Sequence, residues 1–310
     1  MNRCPITYEK VEYGHYSEGG LRRLSPRLSR LSPFPYSAAE QRYQASQQAA
    51  KISVQGMQPK LSVKLSVSKG QFKLVEGGGL YIVKPQHHIY PQLPENEDVT
   101  MKMATAAGLE VPIHGMVWCA DQSLSYFIRR FDRPKRGKKL ALEDFAQLTG
   151  QTRKTKYEFS MERLVSVLDQ YCTFPLLDKL KLFRLTLFSF ITGNEDMHLK
   201  NFSLITRDGK VQLSPAYDLL NTSIALSGAT EETALPLAGR KRKHKRDDWL
   251  NYWGQERLGL NLPSIQKVLN DFRQATPRWK QLLGWSFLDA KMKQKYDKLL
   301  EDRLGRLDLG

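Results

Sequence analysis

Cysteine is scarce in this chain. Cys4, Cys119 and Cys172 are all it has in 310 residues. Three thiols so far apart give no disulfide framework and fit a reducing compartment, so the expected location is cytoplasmic. Thr7 stands where a Cys-x-x-Cys starting at Cys4 would need its second thiol, and no set of residues has metal-thiolate spacing. Long apolar runs are missing as well. No stretch approaches the ~18 residues of a membrane helix, and the opening MNRCPITYEK holds no apolar segment of the secretory kind. No membrane is expected as a partner. Acids are outnumbered, 32 against 48 Lys and Arg, for a net charge of +16. That balance favours an acidic partner, whether nucleic acid, an anionic substrate or an acidic protein. An ordinary solvated cationic surface explains most of those charges equally well.

What is present suffices for a sizeable core: 41% of the residues are hydrophobic. Residues 1–36 read as an arm that wraps on a folded body or waits for a partner, because Leu-Ser-Pro recurs at 24–26 and 31–33 and proline forbids a continuous helix. Ser37 and Glu40 form a capping box opening a helix to about Lys51. Alternation from Leu61 to Val67 predicts a half-buried strand, followed by two short strands around Gly77–Gly79. A helix follows, with Asn96 as its cap, Glu97 and Asp98 in its first turn and Gly108 beyond its end. HGMVWC and LSYFIRRFD are strands again, completing a strand-rich lobe over 37–135. From 136 to 310 the texture is helical, broken by a hairpin that turns at Arg207-Asp208-Gly209. The segment 178–193 is apolar nearly all round and belongs inside. Ile265, Val268, Leu269 and Phe272 share one helix face, and a last helix spans about Ser286 to Leu304.

At the end of the apolar segment stands GNEDMHLKNFSL, residues 193–204. Asp196 lies on the loop feeding the hairpin, Asn201 begins its first strand, and Asp218 in AYDLL follows its second. A hairpin returns its second strand beside its first, so Asp218 is expected near Asn201. Two carboxylates and an amide oxygen are hard ligands suited to Mg²⁺ with phosphate oxygens completing the shell. A satisfied polar turn is the plainer explanation of any one of them. The first lobe supplies matching parts. SVQGMQPK, Ser53 to Lys60, is a glycine-centred turn whose amides can wrap phosphate. Lys84 ends a strand within reach of phosphates, and Glu97 on the next helix can pair with it. Each has a bland alternative, an ordinary turn and a snorkelling lysine.

Phosphate loop, strand lysine, helix, connecting strand, helical lobe, Asp…Asn loop and a later Asp is the order of parts in a protein kinase, although Gly-x-Gly-x-x-Gly, His-Arg-Asp and Asp-Phe-Gly are absent. SVQGMQPKL, YIVKP, NE, YFIRRFDR, GNEDMHLKNFSL and PAYDL together resemble the HipA-like serine/threonine kinase toxins of bacterial toxin–antitoxin systems, and the opening segment looks most like the compact HipT branch. The resemblance implies an α+β, bilobal protein-kinase-like fold of the PI3/4-kinase kind, using ATP and Mg²⁺. It implies that Asp196 is the catalytic aspartate and that Asn201 and Asp218 are the Mg²⁺ ligands. On the nucleotide it places Lys84, the loop residues Gln55, Gly56, Met57, Gln58 and Lys60, the interlobe segment Arg129 to Phe131, and His198, Lys200, Asn201, Tyr217 and Asp218. Ser53 matches a serine whose autophosphorylation silences the family's kinases; where the branch carries a second serine, this chain has Gln55. Implied partners are an aminoacyl-tRNA synthetase as substrate, a small HipS-like protein, and a helix-turn-helix HipB-like antitoxin carrying the complex to operator DNA. Bacterial persistence is the implied setting.

Two alternatives stay open on the residues alone. One is a nucleic-acid-binding protein, motivated by the charge and by the basic run Arg240–Arg246. The other is a small-molecule kinase on the same fold. The segment Gly150–Ser160 and the basic run are both candidates for docking an acceptor.

Overall fold

A computed structural model describes residues 2–51, 58–152, 154–226 and 230–310. The chain divides into two compact units. The first takes Met1–Val99, Pro112–Lys139 and Gly284–Leu288; the second takes Thr100–Val111, Leu140–Leu283 and Asp289–Gly310.

In the first unit, helix α1 (Glu18–Leu24) is capped by the Ser17 hydroxyl, and α2 (Ala38–Lys51) opens on the Ser37/Glu40 box. Strands β1 (Leu61–Ser66), β2 (Gln71–Leu74), β3 (Tyr81–Lys84), β4 (His114–Trp118) and β5 (Leu124–Arg129) form an antiparallel sheet in the order β2-β1-β3-β5-β4. The segment expected as an arm is built into this unit. Leu21, Leu24, Leu28, Leu31 and Phe34 join Leu61, Val63, Phe72, Val83 and Phe127 in one buried cluster. The Ser32 amide donates to the Gly70 carbonyl at 2.7 Å and that of Phe34 to Trp118 at 2.7 Å. Gly70 (φ +59°) is required there, since a Cβ would stand 2.5 Å from the Arg30 carbonyl oxygen.

Helix α3 (Leu93–Ala106) starts one turn earlier than the sequence predicts. Pro94 suits a first turn, and Asn96, Glu97 and Asp98 are therefore buried inside the helix instead of capping it. Gly108 does take the left-handed position beyond its end.

The second unit is not purely helical. Strands β6 (Leu142–Asp144), β7 (Ser203–Arg207) and β8 (Lys210–Leu213) make a small antiparallel sheet, with the Asp208-Gly209 turn in left-handed backbone. Helices α4 (Phe145–Leu148), α5 (Met161–Tyr171), α6 (Pro175–Ile191), α7 (Thr222–Ala225), α8 (Leu262–Trp285) and α9 (Ala290–Arg306) complete it. The apolar α6 lies in the core, as expected. A π-helical stretch, Asp248–Arg257, buries Trp249 and Trp253, whose indole donates to the Thr186 hydroxyl on α6 at 2.9 Å. The last helix starts at Ala290, not Ser286, because Asp289 caps it through the Met292 amide.

Candidate active site

The end of α6 delivers the chain into Gly193, which has φ +69° and leaves no room for a side chain: a Cβ would lie 2.9 Å from Asn221 Oδ1 and Ser223 Oγ. The hydroxyls of Thr222 and Ser223 donate to the Gly193 carbonyl at 3.1 Å each, and the Glu195 amide donates to Thr222 Oγ1 at 2.7 Å. The loop that follows is therefore stapled to the start of α7. The His198 amide closes it on the Asp196 carbonyl at 2.8 Å. Asp196 keeps its side chain 41% exposed.

Asn201 ends a short 3₁₀ turn, Leu199–Asn201, and the strand begins at Ser203. The sequence placed Asn201 on the strand itself. The turn wins because the Asn201 amide donates back to the His198 carbonyl at 2.9 Å. The hairpin does bring Asp218 to Asn201, with Nδ2 3.5 Å from Asp218 Oδ2. Asn201 is buried, and its Oδ1 has no hydrogen-bond partner among the described residues. An unmatched buried acceptor is costly and is what a metal ligand looks like without its ion. Asp218 has φ +60°, a strained backbone for a residue with a Cβ. Tyr217 fixes its approach, donating to the Lys200 carbonyl at 2.9 Å with Ser203 Oγ 2.6 Å away. Burial pushes the Tyr217 phenol well above its ordinary range.

Asn201 and Asp218 thus fit a hard divalent cation that draws its other ligands from phosphate and water. Among the described residues no group of three or more His, Cys, Asp or Glu could hold a metal alone. Lys200 is engaged with Asp144 at 3.0 Å. The His198 ring lies 2.6 Å from the Lys156 ammonium, and burial lowers its pKa.

In the first unit, Lys84 at the end of β3 donates to Glu97 Oε1 on α3 at 2.6 Å, with side-chain exposures of 7% and 0%. The Lys84 ammonium also lies 5.6 Å from the Tyr126 ring centre. The neighbouring acids are engaged too, Asp98 with His114 at 3.1 Å and Glu95 with Gln86 at 2.7 Å. Burial raises the Glu95 pKa to about 7 although Gln86 opposes it. The Arg129 and Arg130 amides are taken by the carbonyls of Ile113 and Leu80 at 2.7 and 2.8 Å. The amide donors of these two residues are thus already engaged. Gln58 and Lys60 lead into β1, and the buried Gln58 Nε2 has no hydrogen-bond partner among the described residues. Ser53, Gln55, Gly56 and Met57 lie outside the described residues.

Part of the basic run is tied down, while Arg242, Lys243 and Lys245 are exposed. Arg240 pairs with Asp248, Lys241 with Glu231 at 3.4 Å and Arg246 with Asp308 at 3.2 Å, while His244 is buried against Trp249. A contact that sequence reasoning did not find lies at Asp196, whose carboxylate accepts a hydrogen bond from the Tyr157 hydroxyl. The only signal was an aromatic residue in the polar segment Gly150–Ser160.

Comparison with known proteins gives a consistent picture. The HipA-like C-terminal domain family matches residues 52–279. A candidate kinase of Haemophilus influenzae is 28% identical over 345 aligned positions, covering all of this chain and 98% of that protein. The serine/threonine-protein kinase toxin HipA of Shewanella oneidensis is 29% identical over 196 residues, covering 56% of this chain and 44% of the toxin. The chain spans about half the length of that toxin and of a candidate kinase from Sinorhizobium fredii, to which it is 35% identical. Among solved structures, a chain from the Shewanella oneidensis HipA, HipB and operator DNA complex superposes with a TM-score of 0.68 at 22% identity, over 94% of this chain and 75% of the other. The Helicobacter pylori proinflammatory kinase CtkA gives 0.54 at 14%, over 74% and 88%. The fold is therefore α+β and kinase-like. No described helix is long and apolar enough to cross a membrane.

Proposed function

This chain belongs to the HipA-like C-terminal domain family, and from that premise we propose that it is an ATP-dependent serine/threonine protein kinase acting as a toxin. The observation that carries the proposal is the buried Lys84–Glu97 pair. Burying two charges costs several kcal/mol per ion, so such a pair is a poor device for stability. It makes sense as a device for holding an ammonium toward phosphates, the use kinases make of it.

Asp196 accepts the proton of the acceptor hydroxyl. The hydroxyl oxygen then bonds to the γ-phosphorus, the bond from phosphorus to the bridging oxygen breaks, and ADP leaves with that oxygen's electrons. Lys84 supplies donors to the nucleotide phosphates, and Glu97 fixes its position. Asn201 and Asp218 would hold Mg²⁺, which when bound neutralises phosphate charge. Tyr217 and the Gly193 staple keep Asp218 and Asp196 in place, so that rate comes from positioning and not from covalent chemistry.

The finer assignments rest on the family resemblance. They are autophosphorylation of Ser53, the roles of Gln55 to Lys60 and of the Arg129–Phe131 segment at the nucleotide, an aminoacyl-tRNA synthetase as acceptor, and HipS-like and HipB-like antitoxins with operator DNA beyond them. The test is γ-phosphate transfer from ATP with Mg²⁺, followed by intact mass and a phosphosite map. Wild type gaining phosphate that Asp196→Asn does not gain supports the kinase; a wild type that neither binds ATP nor transfers phosphate overturns it.

A further inference from the structure

The segment that reaches Asp196 is a tight turn. The Thr152 amide donates to Thr155 Oγ1 at 2.9 Å, and the Glu158 amide to the Thr155 carbonyl at 2.9 Å. Phe159, 6% exposed, then anchors the chain before α5, and the Met161 amide donates to the Pro236 carbonyl at 3.0 Å. The turn lays two consecutive side chains on the catalytic loop. Lys156 Nζ stands 2.6 Å from His198 Nε2, and the Tyr157 ring meets the His198 ring edge-on at 5.1 Å between centres. A backbone bond joins them as well, from the Leu199 amide to the Lys156 carbonyl at 3.4 Å. The Tyr157 hydroxyl completes the contact on Asp196 Oδ1.

This is the bond an acceptor must make. A catalytic aspartate works by accepting the acceptor's O–H, and Tyr157 already offers it one. We propose that Tyr157 is an acceptor mimic: its hydroxyl occupies Asp196 and keeps serine-bearing protein out until the turn 154–158 lifts away. The inference rests on Asp196 being the proton acceptor of a kinase. A phenol suits the task. It donates as a serine does, and burial and the Asp196 carboxylate both raise its pKa, so it stays protonated. Its bulk also stands where a second chain would approach. The contact is open to solvent on its outer side, with Tyr157 38% and the Asp196 side chain 41% exposed, so the turn can leave without unpacking a core. The gate sets how often Asp196 is available, a population effect separate from the chemical step.

The experiment compares full-length wild type, Tyr157→Phe and Asp196→Asn, measuring ADP release at saturating Mg-ATP with and without dephosphorylated casein as the acceptor probe. Phenylalanine keeps the ring and removes only the hydroxyl; thermal melts verify that the variant is folded. The expected result is ADP release from Tyr157→Phe about tenfold faster than from wild type at sub-saturating casein, which corresponds to about 1.4 kcal/mol. A structural role for the hydroxyl would instead lower the rate. Equal or slower release from Tyr157→Phe overturns the gate while wild-type turnover leaves the kinase intact. Phosphate found on Tyr157 itself overturns it too, since the ring would then be an acceptor and not a stopper. ADP release no higher than that of Asp196→Asn from both other proteins removes the kinase, and the gate with it.

Discussion

Lys84 is the residue at which stability and activity separate. Removing one partner of a buried ion pair costs about 3–5 kcal/mol, whereas replacing both with apolar residues is close to neutral. Lys84→Met is therefore expected to lower Tm strongly, and Lys84→Met/Glu97→Leu to recover most of it while remaining unable to transfer phosphate. Thermal melts beside an ADP-release assay check this, and a double variant with restored turnover would sink the role given to Lys84. Asp218 shows the converse. Its φ of +60° suits glycine, so Asp218→Gly should stabilise the fold by roughly 1 kcal/mol and abolish transfer; a lower denaturation midpoint would count against strain at this position. The Lys84–Glu97 pair and the approach of Asp218 to Asn201 were legible because short words of fixed spacing carry them. The contact of Tyr157 with Asp196 was not, since it depends on where an aperiodic loop folds. Nor was the left-handed Asp218, because nothing in AYDLL demands it.

Among the elements, those with local chemical signals were legible. The Ser37/Glu40 box, the Asp-Gly turn, Gly108 and the apolar α6 all stand where the residues indicate. Competing signals explain the failures. Asn96 and two acids imitate a helix start, yet Pro94 tolerates a helix beginning before it, and Glu97 and Asp98 find buried partners in Lys84 and His114. The π-helical stretch 248–257 has no sequence signal, because packing of Trp249 and Trp253 decides it. The opening segment read through its prolines as an arm that wraps on a folded body or waits for a partner, and its leucines at 21, 24, 28 and 31 do pack into the first unit's core. Leu31→Ala should accordingly cost about 2–5 kcal/mol, read by urea denaturation; a change below ~0.5 kcal/mol would mean the segment is not part of the core.

For the whole molecule the question is what the +16 charge and the pattern of buried charge do. Within the second unit, His244 is buried with Thr233, Phe190 and Trp249 around it and Glu232, Asp248, Arg240 and Arg306 acting on it. Burial holds its pKa at about 4. The unfolded chain takes a proton near 6.5 and the folded one does not, so stability falls as pH drops from about 6.5 to 4. Glu232 takes over below that. Burial alone would raise its pKa, but the bond from Arg306, the His244 amide and the two arginine charges bring it down to about 2, so its contribution is lost as pH falls from about 4.5 to 2. Tm measured against pH should show both windows, and His244→Gln should flatten the upper one; an unchanged upper window would contradict the account of His244. The measurement closest to the central claim remains transfer of the ATP γ-phosphate with Mg²⁺ by wild type and Asp196→Asn. Wild type should gain phosphate and Asp196→Asn should be slower by about 10²–10⁴-fold, the usual worth of a general base. Equal transfer by both would contradict the role of Asp196, and none by either, from protein isolated free of phosphate, would contradict the kinase itself.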